Sequence, residues 1–121
     1  MLSPDDSKVA LTMDIDGNLE IGIVDITGGM VEQLTSHPEL DFAPDWSADG
    51  KSLYFVSRRN ESLDILNLDL STGQIMEVIA SSENEFQPTV SPDGRWLAYV
   101  SPVESRNGSG GIWVVPLQGG E

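Results

Sequence analysis

The chain has 121 residues and no cysteine, which excludes disulfides, thiolate chemistry and cysteine-ligated zinc. Its 20 acidic and 6 basic residues give a formal charge of −14, which repels nucleic acid and anionic membrane surfaces and favours basic proteins or cations as partners. No apolar run approaches the ~18 residues of a membrane span, so no membrane insertion is expected, and the length suits one domain.

In chain order, Ser3-Pro4-Asp5-Asp6 opens the sequence with a tight-turn signal: proline presets φ, aspartate bonds nearby backbone, and Asp6 tolerates the left-handed region. A strand around Val9-Ala10-Leu11 follows. Asp14-Ile15-Asp16-Gly17-Asn18 then spaces oxygens like part of a calcium loop, with Asp14, Asp16 and Asn18 as candidate ligands. The third ligand before the glycine and the bidentate glutamate of a full loop are missing, and Asp-Gly is a strong hairpin turn, so the turn is the preferred assignment. Leu19–Ile26 reads as the next strand, Thr27-Gly28-Gly29 as a turn and Met30–Thr35 as a further strand.

The sequence then repeats itself. VSPDGRWLAYVS at 90–101, WSADGKSLYFVS at 46–57 and LSPDDSKVALTM at 2–13 are spaced by 44 residues both times, and a fixed period of 20 to 50 residues marks a repeat architecture. Each copy carries the turn, in Asp49-Gly50 and in Pro92-Asp93-Gly94, and then a β-branched and aromatic strand. Leu53–Val56 and Leu97–Val100 are expected to be buried on both faces. Leu63–Leu70 alternates with polar residues and is expected to lie further out and more exposed, with Ile112–Leu117 as its third version. Gln74–Ala80 completes the unit, and the chain returns through Ser81–Asn84 to the next inner strand. Four strands per repeat make an antiparallel meander, the blade of a β-propeller. The expected division is a partial blade over 1–40, a complete blade over 41–84 and a partial blade over 85–121. The fold class is thus all-β, an incomplete propeller of about 2.5 to 3 blades, fewer than closure requires. Such a chain is either a piece of a six- or seven-bladed parent or a short chain that builds a ring from copies, and its open flanks imply self-association.

The run Pro-x-Trp-Ser-x-Asp-Gly-Lys-x-Leu at 44–53, an apolar strand ending in serine, and then Ile-x-x-x-Asp-Leu-x-x-Gly at 65–73 resembles the Pro-Asp-type propeller repeats of TolB, the periplasmic component of the Tol–Pal system. Similar repeats occur in the propellers of prolyl-oligopeptidase-type peptidases, and IWVVPLQGGE at 112–121 is close to how such repeats write their third strand and turn. The resemblance implies a periplasmic, non-catalytic protein-binding scaffold, or alternatively the gating propeller of a peptidase whose catalytic domain lies outside this chain. One histidine, His37, with no GxSxG and no cysteine provides no catalytic set here. The loops not dictated by turn geometry are the expected binding elements. On them, Asp41, Asp45 and Glu85 are expected to form an acidic channel mouth above Phe42 and Phe86. Arg58, Arg59 and His37 stand nearby, and the mouth would receive a basic or cationic partner segment.

Overall fold

In the computed structural model, residues 1–36, 39–59, 61–79, 84–101 and 111–117 are described. The elements are β1 (Lys8–Ile15), β2 (Asn18–Asp25), β3 (Glu32–Gln33), β4 (Asp41–Trp46), β5 (Ser52–Arg59), β6 (Ser62–Asp69), β7 (Ile75–Ile79), β8 (Phe86–Val90), β9 (Trp96–Val100) and β10 (Ile112–Pro116). They form three antiparallel sheets, β1-β2-β3, β4-β5-β6-β7 and β8-β9-β10, each pairing strands in the order in which the chain makes them.

Local chemistry sets these pairings. Asp16 and Gly17 both take positive φ, 52° and 87°, and close the two-residue turn that pairs Ile15 with Asn18. The first sheet retains a stub of an inner strand: Leu2 bridges Val9, and Ala10 N donates to the Met1 carbonyl at 2.8 Å. The inner strands β4 and β8 each carry a bulge, between Phe42 and Asp45 and between Phe86 and Thr89. At the bulges Ala43 and Gln87, both with φ 56°, sit left-handed before Pro44 and Pro88. Because Ala43 turns out of the ladder, its N–H donates across to Thr12 Oγ1 of the first sheet at 3.0 Å.

The sheets pack face to face. Ala10, Ile21 and Ile23 of the first sheet meet Trp46, Leu53, Phe55, Leu66 and Leu68 of the second. The opposite face of the second sheet puts Tyr54 and Ile65 against Leu97 and Tyr99 of the third. Leu53–Val56 is buried on both faces, as its composition predicts. Leu97–Val100 is buried only at Leu97 and Tyr99, because no further sheet covers its other face among the described residues.

Two expectations are corrected. β6 is as buried as β5, with Ile65, Leu66 and Leu68 at 4% exposure or less. It lies between β5 and β7 in the ladder and between two sheets in the stack, so only the fourth strand, β7, meets water along most of its length. The strand expected over Met30–Thr35 shrinks to Glu32–Gln33, with Met30 94% exposed.

Candidate functional site

The meander places two kinds of loop on opposite rims. One rim carries the repeated turns, and a single hydrogen-bond pattern builds all three. The Gly94 N–H donates to the Ser91 carbonyl at 2.9 Å, Ser91 Oγ donates to Asp93 Oδ1 at 2.6 Å, and Arg95 N donates to the same oxygen at 3.0 Å. Ser91 Oγ in turn accepts the Trp96 N–H at 3.0 Å, which braces the turn onto the strand that follows. Ser47 and Asp49 repeat this with Lys51 and Ser52, and Ser3 and Asp5 repeat it with Ser7 and Lys8. The left-handed position is Asp6, Gly50 or Gly94, at φ 62°, 73° and 75°. Hydrogen bonds to the charged form hold these carboxyls down. Asp5 falls to about 2, chiefly through the Ser7 hydroxyl and then that of Ser3. Asp49 and Asp93 are lowered by Ser47 and Ser91 first. Ser3, Pro4, Asp5, Asp49, Gly50, Pro92, Asp93 and Gly94 are therefore turn residues, with Pro4 also lining a cleft between the first two sheets beside Trp46.

The other rim holds the β1-β2 turn, the β5-β6 turn and the return loops. Here the acids expected to form the channel mouth stand inside the stack. Asp41 is fully buried, Glu85 is 2% exposed and Asp45 is 8% exposed. Asp41 accepts the Ser57 hydroxyl, its ladder partner on β5. Glu85 donates its backbone N–H to the Leu63 carbonyl at 2.7 Å, tying the third sheet to the second. Its charge adds to the burial that pushes the Tyr99 phenol up. Asp45 lies toward the turn rim and links sheets: Oδ1 accepts the Trp46 N–H at 3.0 Å and Oδ2 accepts the Val90 N–H at 2.8 Å. Burial raises its carboxyl, and the two amides pull it back in part. An acid inside a β-sheet stack survives by acquiring such donors rather than by reaching solvent.

Two further buried acids escaped the reading of the loops. Glu20 and Asp64, both 3% exposed, stand 44 residues apart on β2 and β6. Glu20 accepts the Thr35 hydroxyl at 2.9 Å and the Asn18 amide at 3.1 Å, and Asp64 accepts the Ser62 hydroxyl at 3.0 Å. The signal was present as an acid at the same phase of an apolar strand in two successive repeats.

Among the described residues the solvent-facing charges of this rim are Asp14, Asp16, Glu39, Glu61 and Arg58. Asp14 Oδ1 accepts the Gly17 N–H at 2.8 Å, so it serves the hairpin turn. Among the described residues no group of three or more His, Cys, Asp and Glu side chains is placed to hold a metal. Arg58 Nε stands 3.9 Å from Glu39 Oε2, and the backbone N–H of Arg58 donates to the Leu40 carbonyl at 2.8 Å. Phe42 is half-buried on β4. His37 and the side chains of Arg59 and Phe86 lie outside the described residues.

A curated TolB homolog from Chlorobium chlorochromatii (strain CaD3) is 35% identical over 52 residues, 43% of this chain and 12% of that protein. The structure of putative TolB from Agrobacterium tumefaciens superposes with a TM-score of 0.79 at 23% identity, over 96% of this chain and 48% of the other. That of puromycin hydrolase superposes with a TM-score of 0.70 at 18% identity, over 96% of this chain and 19% of the other. Both structures share the fold, and the chain spans less than half the length of each relative. The sequence profile of the TolB beta propeller domain matches residues 1–120, so the three-sheet stack with its repeated serine–aspartate turns belongs to the TolB beta propeller family.

Proposed function

We propose that this chain is a non-catalytic, protein-binding scaffold of the cell envelope, supplying part of a ring whose loop rim takes a basic segment of a protein partner. The observation that carries the proposal is a division of labour among the acids. Asp41, Glu85, Glu20 and Asp64 are buried within the stack, whereas Asp14, Asp16, Glu39 and Glu61 face water on loops of the same rim. Buried acids bonded to hydroxyls and amides fix loop geometry. Exposed acids around a rigid scaffold act on encounter, steering a cationic partner from a distance set by ionic strength. Similarity to TolB supports the envelope assignment, and an exposed rim on a rigid β scaffold suits recognition.

The test titrates a lysine-rich peptide against the immobilised chain across a salt series. Asp14→Asn, Asp16→Asn, Glu39→Gln and Glu61→Gln together are expected to slow association and flatten its salt dependence, and the peptide is expected to be recovered uncleaved. Glu32→Gln with Glu77→Gln, exposed acids of the outer strands, should leave both unchanged. Equal on-rates for the rim variant and the parent at every salt concentration would overturn the rim assignment, and cleavage of the peptide would overturn the non-catalytic one.

A further inference from the structure

Between neighbouring sheets, the repeated turns stand over clefts of unequal size. The cleft between the second and third sheets has a volume of about 150 Å³, and that between the first and second about 340 Å³. Residues 44 apart account for the difference. Tyr54, paired with Asn67 across the second sheet, lines the smaller cleft, whereas Ala10 stands in its place on the first sheet, paired with Ile23. The small side chain leaves Ile23 at the wall of the larger cleft, which runs on over Leu34 to Glu32 of the two-residue strand β3. Both walls are sheets of this chain that already pack on each other, so the outer faces of the stack contribute nothing to it.

The larger cleft has an apolar floor of Ile23, Leu34, Leu70 and the Trp46 indole, and its mouth is acidic. Asp5 and Asp49 enter it from two successive turns. Each accepts its turn's hydrogen bonds on Oδ1, and no bond from another described residue falls on Oδ2. Lys8, the one cation of the lining, is engaged by Asp25 at 2.6 Å and attracted by Glu32 as well. In the second and third turns a basic residue, Lys51 or Arg95, stands two places after the aspartate and offsets its charge, but the first turn has Ser7 there. The cleft thus joins an aliphatic floor to a carboxylate pair in which Asp5 has no cation of its own turn.

We propose that this cleft binds a small amphipathic cation, an alkylammonium whose chain lies on Ile23, Leu34 and Leu70 and whose head group is shared by Asp5 and Asp49. Its volume falls in the range of small-molecule sites, roughly 300–1,000 Å³. The alkyl chain covers aliphatic surface that would otherwise face water, and the ammonium makes charge-assisted hydrogen bonds to carboxylate oxygens. An anion of the same shape would meet the carboxylates of Asp5, Glu32 and Asp49, and an uncharged alcohol would forgo the ionic contact. The site lies on the turn rim, opposite the loops of the proposed partner contact, and it is independent of that reading.

Titration of the nitrogen-15-labelled chain with hexylammonium chloride, followed by amide and indole NMR resonances, tests this. Saturable shifts are expected at the Trp46 indole N–H and at the amides of Lys8, Leu34 and Gly50, and none at Gly94 or Leu117 of the smaller cleft. Sodium hexanoate should cause no shift at these positions, and 1-hexanol should bind at least about tenfold more weakly, the loss of a charged hydrogen bond. Ser7→Lys sets a tethered ammonium beside Asp5, as Lys51 already stands beside Asp49, so the turn is kept while binding falls by at least about tenfold. Asp5→Asn with Asp49→Asn retains an acceptor in each turn and should weaken binding by a similar factor. Absence of any saturable shift, equal shifts at both clefts, shifts confined to the loop rim at Asp14 and Glu39, hexanoate or hexanol binding as tightly as the amine, or undiminished binding to a folded Ser7→Lys chain would each overturn the proposal.

Discussion

Asp45 Oδ2 accepts the backbone N–H of Val90 at 2.8 Å, a bond across 45 residues that fastens the inner strand of the second sheet to that of the third. The other carboxylate oxygen holds the N–H of Trp46, whose indole N–H donates to the Met1 carbonyl at 2.8 Å in the first sheet. One side chain and its neighbour thus link the inner strands of all three sheets. Asp45→Asn turns an NH2 toward one of two backbone donors and should cost about 1–3 kcal/mol by chemical denaturation at neutral pH. Burial raises the Asp45 carboxyl above its ordinary range. A raised folded value favours the fold below the unfolded pKa, and that contribution is lost as pH rises through the folded one. The deficit of the variant should therefore be widest in acid and narrow toward neutrality. A deficit that grows with pH would contradict this placement of the charge.

Gly94 and Gly50 occupy equivalent left-handed positions but differ in space. A Cβ on Gly94 would lie 2.9 Å from the Ala48 Cβ, whereas on Gly50 the nearest atom is Pro4 Cδ at 3.7 Å. Alanine at Gly50 should cost the backbone strain alone, roughly 1–2 kcal/mol, and alanine at Gly94 should cost more. Asp6→Gly removes a non-glycine residue from φ 62° and should be neutral or stabilising. Thermal melts ordering the three variants in any other way would break the equivalence of the turns.

The turn aspartates predict acid sensitivity. Their folded pKa values are depressed, so their contribution is present above the ordinary carboxylate value near ~4 and is lost as pH falls through the folded one. For Asp5 that lies at about 2. Denaturation midpoints measured from neutral pH downward should drop across this window. The combined Asp5→Asn, Asp49→Asn and Asp93→Asn variant should be less stable at neutrality and show a flatter decline.

Leu66 on β6 is 1% exposed and Met76 on β7 is 64% exposed. Leu66→Ala should cost about 2–5 kcal/mol, and Met76→Ala should lie within about 0.5 kcal/mol of the parent. Comparable losses at both sites would mean that the third strand of the central sheet is not its interior.

The turns and the period were legible because their causes are local: Pro, Asp and Gly at fixed offsets dictate φ, and repetition at 44 residues exposes the unit. The bulges at Ala43 and Gln87 were not, because neither is a residue that favours positive φ. Their conformation answers to the following prolines and, at Ala43, to the Thr12 hydroxyl. The burial of Asp41 and Glu85 was hidden for a related reason. An acid at a strand entrance reads as solvated until a hydroxyl on the paired strand, as at Asp41, or a neighbouring sheet tied in through the backbone, as at Glu85, is known to enclose it. β6 was misjudged because alternation reports a half-buried strand only where one face is free, and here both are covered.

Every sheet pairs strands in the order of the chain, and the sheets stack in that order too. Within each sheet the ladders therefore join strands that follow one another in the chain, and little loop-closure entropy has to be overcome before the first sheet can form. Such an array behaves like a one-dimensional row of coupled units, in which cooperativity passes only through shared faces. The middle unit is the one with two neighbours. Damage to the first or third sheet removes an end and shortens the row, whereas damage to the second leaves two isolated ends with nothing to lean on. The chain's all-or-none character thus resides in residues 41–79.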